Sequence, residues 1–256
     1  MRIDLNSDLG ESYGPWRMGD DEAILEVVTS ANVACGGHAS DPETMFRTLE
    51  IARDRGVVVG AHPGFADREG FGRRLIPMTA GEIERLVATQ TGALMGAAAL
   101  AGVKVRYIKA HGALANHCAD DRAAALAVAR AARAFGSDMA VLAISGTELE
   151  LAARELDVPV YSEIFADRGY LSTGRLVPRS RPDAMIHDPQ EAADRLVSYL
   201  QTGLMPVVDG ASITLRAHSI CVHGDGPSAI AMASHIREVL SARGVSLKSF
   251  LDSQEQ

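Results

Sequence analysis

The chain has 256 residues, 47% of them hydrophobic and 23% charged, with a formal net charge of −8. That composition supplies ample core, and the acidic balance disfavours nucleic acid or an anionic membrane as a partner. Three cysteines do not make a disulfide framework, no apolar run approaches the roughly 20 residues of a membrane span, and the opening MRIDLNSDLGE is charged and strand-like, unlike a secretion signal, so a cytoplasmic protein is expected.

In chain order, buried strands end in polar tips and helical patterns follow. IDL ends in Asn6, Ser7 and Asp8, ahead of a helix expected over residues 21–29. ANVAC at 31–35 breaks at Gly36 and Gly37 and presents His38, and Asp41-Pro42 has the form of a helix start. VVVGA at 57–61 ends in His62, and Thr79 with Glu82 then matches a capping box, in which each side chain bonds the other residue's backbone amide. VRYI at 105–108 delivers Lys109 and His111. AVLAI at 140–144 ends in Ser145, which forms a second capping-box pattern with Glu148. PVYSEI at 159–164 leads to Asp167 and Arg168, and Asp188-Pro189 opens another helix. SICV at 219–222 ends in His223 and Asp225. Gly56, Gly102, Gly136, Gly203 and Gly244 stand where left-handed helix ends are wanted. Residues 169–187 break the rhythm, and MPVVDGASITLRA at 205–217 reads as a short hairpin with Asp209-Gly210 at its turn.

Nearly all-apolar strands alternating with helices argue for a parallel sheet covered by helices. Seven such units fit an irregular seven-stranded (β/α) barrel of TIM-like form, with residues 1–256 as a single domain. In a barrel or an open sheet alike, functional groups gather at the carboxyl ends of the strands.

Five of the eight histidines, His38, His62, His111, His218 and His223, fall at or near expected strand ends. One such histidine is better read as structural. A group that also includes Asp8, Lys109, Asp167 and Asp225 points to one wet pocket, because burying so many ionisable groups separately is costly. Asp8, His38 and His62 could hold a divalent metal ion that activates water, although no HExxH or CxxC spacing is present. Metal-free acid–base chemistry is the rival use of the same residues. There is no phosphate loop, and GFGRRL at 70–75 places Leu75 at the third glycine position of a dinucleotide fingerprint. Arg73 and Arg74 on that loop suit a carboxylate or phosphate, or else form a solvated pair. Cys35 and Cys221 read as small core residues. Lys109 could neutralise an anion or pair with an acid, and His111 could be a base.

The segments IDLNSDLGESYG, SANVACGGHASDP, GAHPGFADREGFGRR, YIKAHGALAN, EIFADRGYLSTGRLVPR and SICVHGDGP, in order and across nearly the whole chain, resemble the LamB/YcsF family. The resemblance implies a barrel of the glycoside hydrolase and polysaccharide deacetylase type. It also implies the role of the A subunit of an ATP-hydrolysing 5-oxoprolinase, which opens the lactam of 5-oxo-L-proline to L-glutamate with two further subunits. ATP would be used together with those partners. Carried onto this chain, Asp8, His38 and His62 would position or activate water, directly or through a metal. His111 or His223 would protonate the leaving ring nitrogen, and Arg73, Lys109 or Arg168 would hold the substrate's anionic groups, with Asp167 and Asp225 beside them. Gly37, Ala110, Ala115 and Gly226 depart from the family's usual phenylalanine, proline, tyrosine and asparagine, which opens the choice of lactam. Two other readings are a stand-alone metal-dependent amidase or deacetylase on another small cyclic amide, and a non-catalytic binding protein for small acids.

Overall fold

The computed structural model describes residues 1–223 and 227–251. Seven parallel strands close on themselves: β1 (Arg2–Leu9), β2 (Ser30–Ala34), β3 (Val58–His62), β4 (Val105–Ile108), β5 (Ala140–Ile144), β6 (Val160–Phe165) and β9 (Ser219–Cys221) pair in that order, and β9 returns to β1. The closed barrel expected from seven strand–helix units is the observed architecture. The intervening β7 (Leu204–Met205) and β8 (Ile213–Thr214) form the expected antiparallel hairpin outside the barrel, with Asp209 and Gly210 in its loop. A last strand, β10 (Ser246–Leu247), pairs with the start of β1.

Helices α2 (Pro42–Asp54), α3 (Ala80–Ala101), α5 (Arg122–Ala134), α6 (Glu148–Glu155), α7 (Pro189–Thr202) and α8 (Pro227–Ala242) follow the barrel strands, with the short α1 (Asp21–Leu25) and α4 (Gly112–Asp120) between them. Their starts follow the sequence punctuation with one exception. Asp41 and Asp188 accept from amides of the first turn, and Thr79 and Glu82 form the reciprocal capping box. Ser145 does not cap α6: Thr147 is the N-cap residue, and the Ser145 hydroxyl accepts from the Arg216 amide at 3.0 Å. The expected helix over 21–29 also stops early, at Leu25, because Thr29 is drawn to β1, donating its hydroxyl to Asp4 at 2.6 Å and its amide to Leu5 O at 2.8 Å. All five glycines expected to end helices have φ between +67° and +109°.

The main apolar core lies between the sheet and the helices, and the barrel interior is largely polar. Strand side chains alternate, and Ile3, Leu5, Leu9, Val33, Val59 and Ile108 belong to the outer set. The inner set is polar. On β1 it is Asp4, Asn6 and Asp8, and the other strands add Ser30, Asn32, Lys109, Glu163 and Ser219. Buried polar groups of this kind are stable only when satisfied. Asp4 accepts from Thr29, Ser30 and Ser219, Asn6 donates to Ser219 (2.7 Å) and Glu163 (3.3 Å), and Asn32 donates to Asn6 (2.7 Å) while accepting from Tyr107 OH (2.6 Å). A small apolar cluster of Tyr107, Ala140, Leu142, Phe250 and Leu251 completes the interior. Among the described residues, no helix is long and apolar enough to cross a membrane.

Candidate active site

The polar column of β1 ends at Asp8, where the carboxyl ends of the strands surround a cavity of about 540 Å³. Asp8, Glu11, His62, Lys109, His111, Glu163 and His223 all line it. The register explains the convergence. Asp8 lies level with Asn32 on β2, which is level with Gly60 on β3, so His62, two residues further along β3, stands one step above Asp8. Asp8 Oδ1 accepts from Asn32 (2.9 Å) and Lys109 (3.1 Å), and Oδ2 lies 3.3 Å from His62 Nε2. Burial alone would raise the Asp8 pKa, but the contact with His62 and the charge of the Lys109 ammonium outweigh it and hold the carboxyl well below its usual range.

Lys109 is itself enclosed. Its ammonium reaches Glu163 at 3.0 Å, Asp8 and Asn6 at 3.1 Å and Cys221 Sγ at 3.2 Å. Desolvation opposes its charge, but the neighbouring acids more than restore it, so it stays protonated. Burial raises the Glu163 carboxyl and lifts the Cys221 thiol well above its normal value. Cys35 is likewise pushed up to about 12, so both cysteines are inert core thiols.

The GGH turn delivers His38. Gly36 at φ +85° accepts the reversal and closes it by donating its N–H to Ala39 O at 2.9 Å. The His38 ring then stacks face to face on His111, with centroids 3.6 Å apart, and its Nε2 lies 3.1 Å from Glu11 Oε1. The GFGRR loop passes directly beside these rings. Gly72 has φ +62°, and a Cβ there would lie 2.7 Å from His38 Cβ and 2.9 Å from His111 Cδ2, so only glycine fits. Of the two arginines on the loop, Arg74 is committed to Asp67, while Arg73 lines the cavity with its guanidinium 5.0 Å from the Phe71 ring.

Backbone carbonyls set the tautomers. His62 Nδ1 lies 2.8 Å from Lys109 O, and His111 Nε2 lies 2.8 Å from Phe71 O. A carbonyl only accepts, so both of those nitrogens carry hydrogen. In neutral rings the remaining nitrogens, His62 Nε2 and His111 Nδ1, then face each other as lone pairs 3.0 Å apart. Such a pair needs positive charge between its members, either a shared proton or a cation. Burial holds His38 well below and His111 at about 3, so the rings resist taking up several protons together. The donor atoms of Glu11, His38, His62 and His111 lie within 4.8 Å of one another, and His38 Nδ1 is buried without a hydrogen-bond partner among the described residues. This cluster could hold a metal ion, and its donors suit a divalent transition metal. It differs from the Asp8, His38 and His62 set expected from sequence: Glu11 and His111 join it, and Asp8 sits beside it against His62.

The opposite wall is built from the segment after β6. His223 Nδ1 lies 2.6 Å from Asp167 Oδ2, and Arg179 Nη2 donates to His223 Nε2 at 3.1 Å. His223 is therefore neutral, with its hydrogen on Nδ1, and Asp167 lies below its usual pKa because the His223 contact outweighs its own burial. Arg168 is turned into the wall, donating to Val177 O (2.7 Å) and Ala184 O (3.2 Å); burial lowers it to about 10. Arg175 is tied to Asp120, Gly146 O and Ala119 O.

Asp8, His38, His62, Lys109 and His111 thus meet at one end of the cavity, and Asp167 and His223 face them. Asp225 lies outside the described residues. His218 does not belong to the group: it precedes β9 and accepts from the Ser162 amide at 2.9 Å, at the other end of the strands. Sequence reasoning missed Glu11, Glu163 and Arg179. Glu163 carried a signal, as an acid inside an apolar strand; Glu11 sits only three residues beyond the Asp8 tip.

A closed parallel barrel with acids, imidazoles and a buried lysine at its carboxyl rim defines a β/α-barrel protein whose rim carries groups able to give and take protons. The chain belongs to the LamB/YcsF family, whose model matches residues 3–255. It is 48% identical over 248 residues, 97% of this chain and 98% of the other, to the 5-oxoprolinase A subunit of Azorhizobium caulinodans. The crystal structure of the lactam utilization protein from Thermus thermophilus superposes with a TM-score of 0.92 at 39% identity, covering 97% of this chain and all of that one. A structure of the T48 deacetylase with substrate, at 16% identity and a TM-score of 0.51 over 97% of this chain and 88% of that one, shares the fold alone.

Proposed function

We propose that this chain is the A subunit of an ATP-hydrolysing 5-oxoprolinase, opening the lactam of 5-oxo-L-proline to L-glutamate. The observation that carries the reading is the convergence of Asp8, His62 and His111 on one cavity, in a chain that matches a 5-oxoprolinase component over almost its entire length. An unstrained lactam is a poor electrophile, and phosphorylation of its oxygen makes the ring carbon more reactive. ATP would be spent with two further subunits, in keeping with the lack of a phosphate loop here. The whole 1–256 barrel acts as one unit, in the cytoplasm, where its three buried, unpaired cysteines stay reduced.

In this reading Asp8 and His62 hold and deprotonate the attacking water. His111 fixes the proton balance of His62 through the 3.0 Å contact. Lys109, ringed by protein acceptors, keeps Asp8 ionised and aimed, which departs from the expectation that it grips substrate. Arg168 similarly shapes the wall, which leaves Arg73, of the arginines expected from sequence, to meet substrate. His223, oriented by Asp167, takes up the second proton of the attacking water at Nε2 and passes it to the departing ring nitrogen. A divalent ion held by Glu11, His38, His62 and His111 would supply Lewis acidity at the same end of the cavity; it would engage the His62 Nε2 lone pair and leave Asp8 as the base.

That donor cluster favours a second reading, a stand-alone metal-dependent amidase on another small cyclic amide. One assay matrix separates the two: glutamate release from 5-oxoproline with and without partner subunits, ATP and chelator. Turnover only with partners and ATP supports the first reading. Turnover by this chain alone, lost on chelation and restored by zinc or manganese, replaces it with the second.

A further inference from the structure

We infer that Arg179 receives the anionic group of the ligand and that its departure uncovers the His223 lone pair for chemistry. The inference rests on the proposed function for the identity of the ligand, but its geometry stands separately.

The cavity-lining arginines of the wall after β6 are not equivalent. Arg168 spends its donors on the carbonyls of Val177 and Ala184, and Arg175 on Asp120 and two further carbonyls. Both hold the wall together. Arg179 also lines the cavity, but its contacts are neutral: His223 Nε2 at 3.1 Å and Met185 Sδ at 3.7 Å. Among the described residues its guanidinium pairs with no carboxylate. A planar fork with a full positive charge and only weak neutral acceptors will exchange them for a carboxylate or phosphoryl oxygen, which it can bind through two parallel hydrogen bonds.

The exchange has a consequence at His223. Its Nδ1–H is committed to Asp167 at 2.6 Å, so Nε2 is the only nitrogen left to handle a proton, and in the present arrangement Arg179 occupies it. A base whose lone pair accepts from a cation is masked. When the guanidinium turns to an incoming anion, Nε2 is released toward the cavity in the tautomer that Asp167 enforces. Ligand capture and unmasking of the imidazole are then one movement of one side chain, and an amide without an anionic group does not trigger it.

The test uses Arg179→Met and Arg179→Lys, with Arg181→Ala, which removes the Asp183 partner two residues along the same segment, as a control. In the reconstituted complex with ATP, Arg179→Met should raise the KM for 5-oxoproline at least ten-fold, Arg179→Lys should recover part of the loss, and Arg181→Ala should match wild type. An unchanged KM in Arg179→Met, or equal losses in the Met and Lys variants, overturns the inference. Calorimetry on the isolated chain provides a readout that does not depend on turnover. 5-Oxoproline and inorganic phosphate are titrated separately, which identifies whether the carboxylate or the phosphoryl group is the anion received. Binding of one of them that is lost in Arg179→Met supports the inference. Binding unaffected by the substitution, or no binding of either by the wild-type chain, refutes it. An inactive wild-type complex with intact Arg179-dependent binding would count against the functional reading alone.

Discussion

The two walls of the cavity are made differently. The wall from β1 to β4 carries its functional groups on strands or within a few residues of strand ends, and nearly every polar atom there is bonded to another: Asp8 to Asn32, Lys109 and His62, and His111 to His62 and Phe71 O. The wall after β6 is a long segment held by arginine-to-carbonyl bonds, with the Asp167–His223 pair at its edge. A group fixed by sheet register can be aimed tightly. A group on a segment can exchange partners as a ligand arrives. The first wall is suited to chemistry and the second to capture.

The largest expected effect falls on the first wall. Asp8→Asn or His62→Ala should lower turnover by about 10²–10⁴-fold, the usual contribution of a positioned acid or base, with an unchanged circular dichroism spectrum. Full activity in either variant would take these residues out of the mechanism and erase the contrast. Next, Lys109→Met leaves Asp8 and Glu163 facing each other without their shared cation, and should cost about 3–5 kcal/mol in chemical denaturation. A cost below 1 kcal/mol would mean that the first wall is no more tightly built than the second. On the second wall, Arg168→Met strands the carbonyl of Val177 and leaves Ala184 O with the Gly169 amide as its remaining donor. It should cost about 1–3 kcal/mol for the unsatisfied group, seen as faster proteolytic cleavage within residues 169–187 while cleavage elsewhere is unchanged.

Counted per ring and per pH unit, the smallest effect is in the pH dependence of stability for the metal-free chain. Burial holds His111 at about 3 and pushes His38 well below its usual value, whereas an unfolded histidine titrates near 6.5. The unfolded state therefore takes up protons that the folded state refuses, and stability falls as pH drops from about 6.5 toward 4, by roughly 1 kcal/mol per unit for each ring. The depressed Asp8 carboxyl adds a further loss only at lower pH, below its unfolded value of about 3.9, and the raised Glu163 pulls the other way. Thermal midpoints measured across this range should show the acid limb, and His38→Asn should flatten it. A flat profile in the wild-type chain would mean that these rings are not shielded from solvent.

The barrel was legible because each strand is a short apolar run ending in a polar tip, and those tips named Asp8, His38, His62, Lys109, His111, Asp167 and His223. The polar filling of the barrel was harder to see. Asp4, Asn6 and Asp8 alternate along β1, but in a parallel sheet both faces were expected to be apolar, so the period-two pattern passed as a charged strand end. Thr79–Glu82 and Ser145–Glu148 have the same capping pattern, yet only the first caps its helix. Ser145 stands at the end of β5, where the Arg216 amide claims its hydroxyl, a partner 71 residues away that no local motif can register. His218 was misplaced for a related reason: proximity to a strand does not say which end of it. Arg73, Arg168, Arg175 and Arg179 look alike in sequence, and only their hydrogen bonds separate the braces from the reach of Arg179.

The pairing of β1 with both β2 and β9 also has a bearing on biosynthesis. β1 leaves the ribosome before β9 and cannot find that neighbour until residues 219–221 have been made. A nascent chain therefore carries Asp8 on a strand with one unsealed edge until β9 has been made, and acquires its finished pocket only at the last step of ring closure.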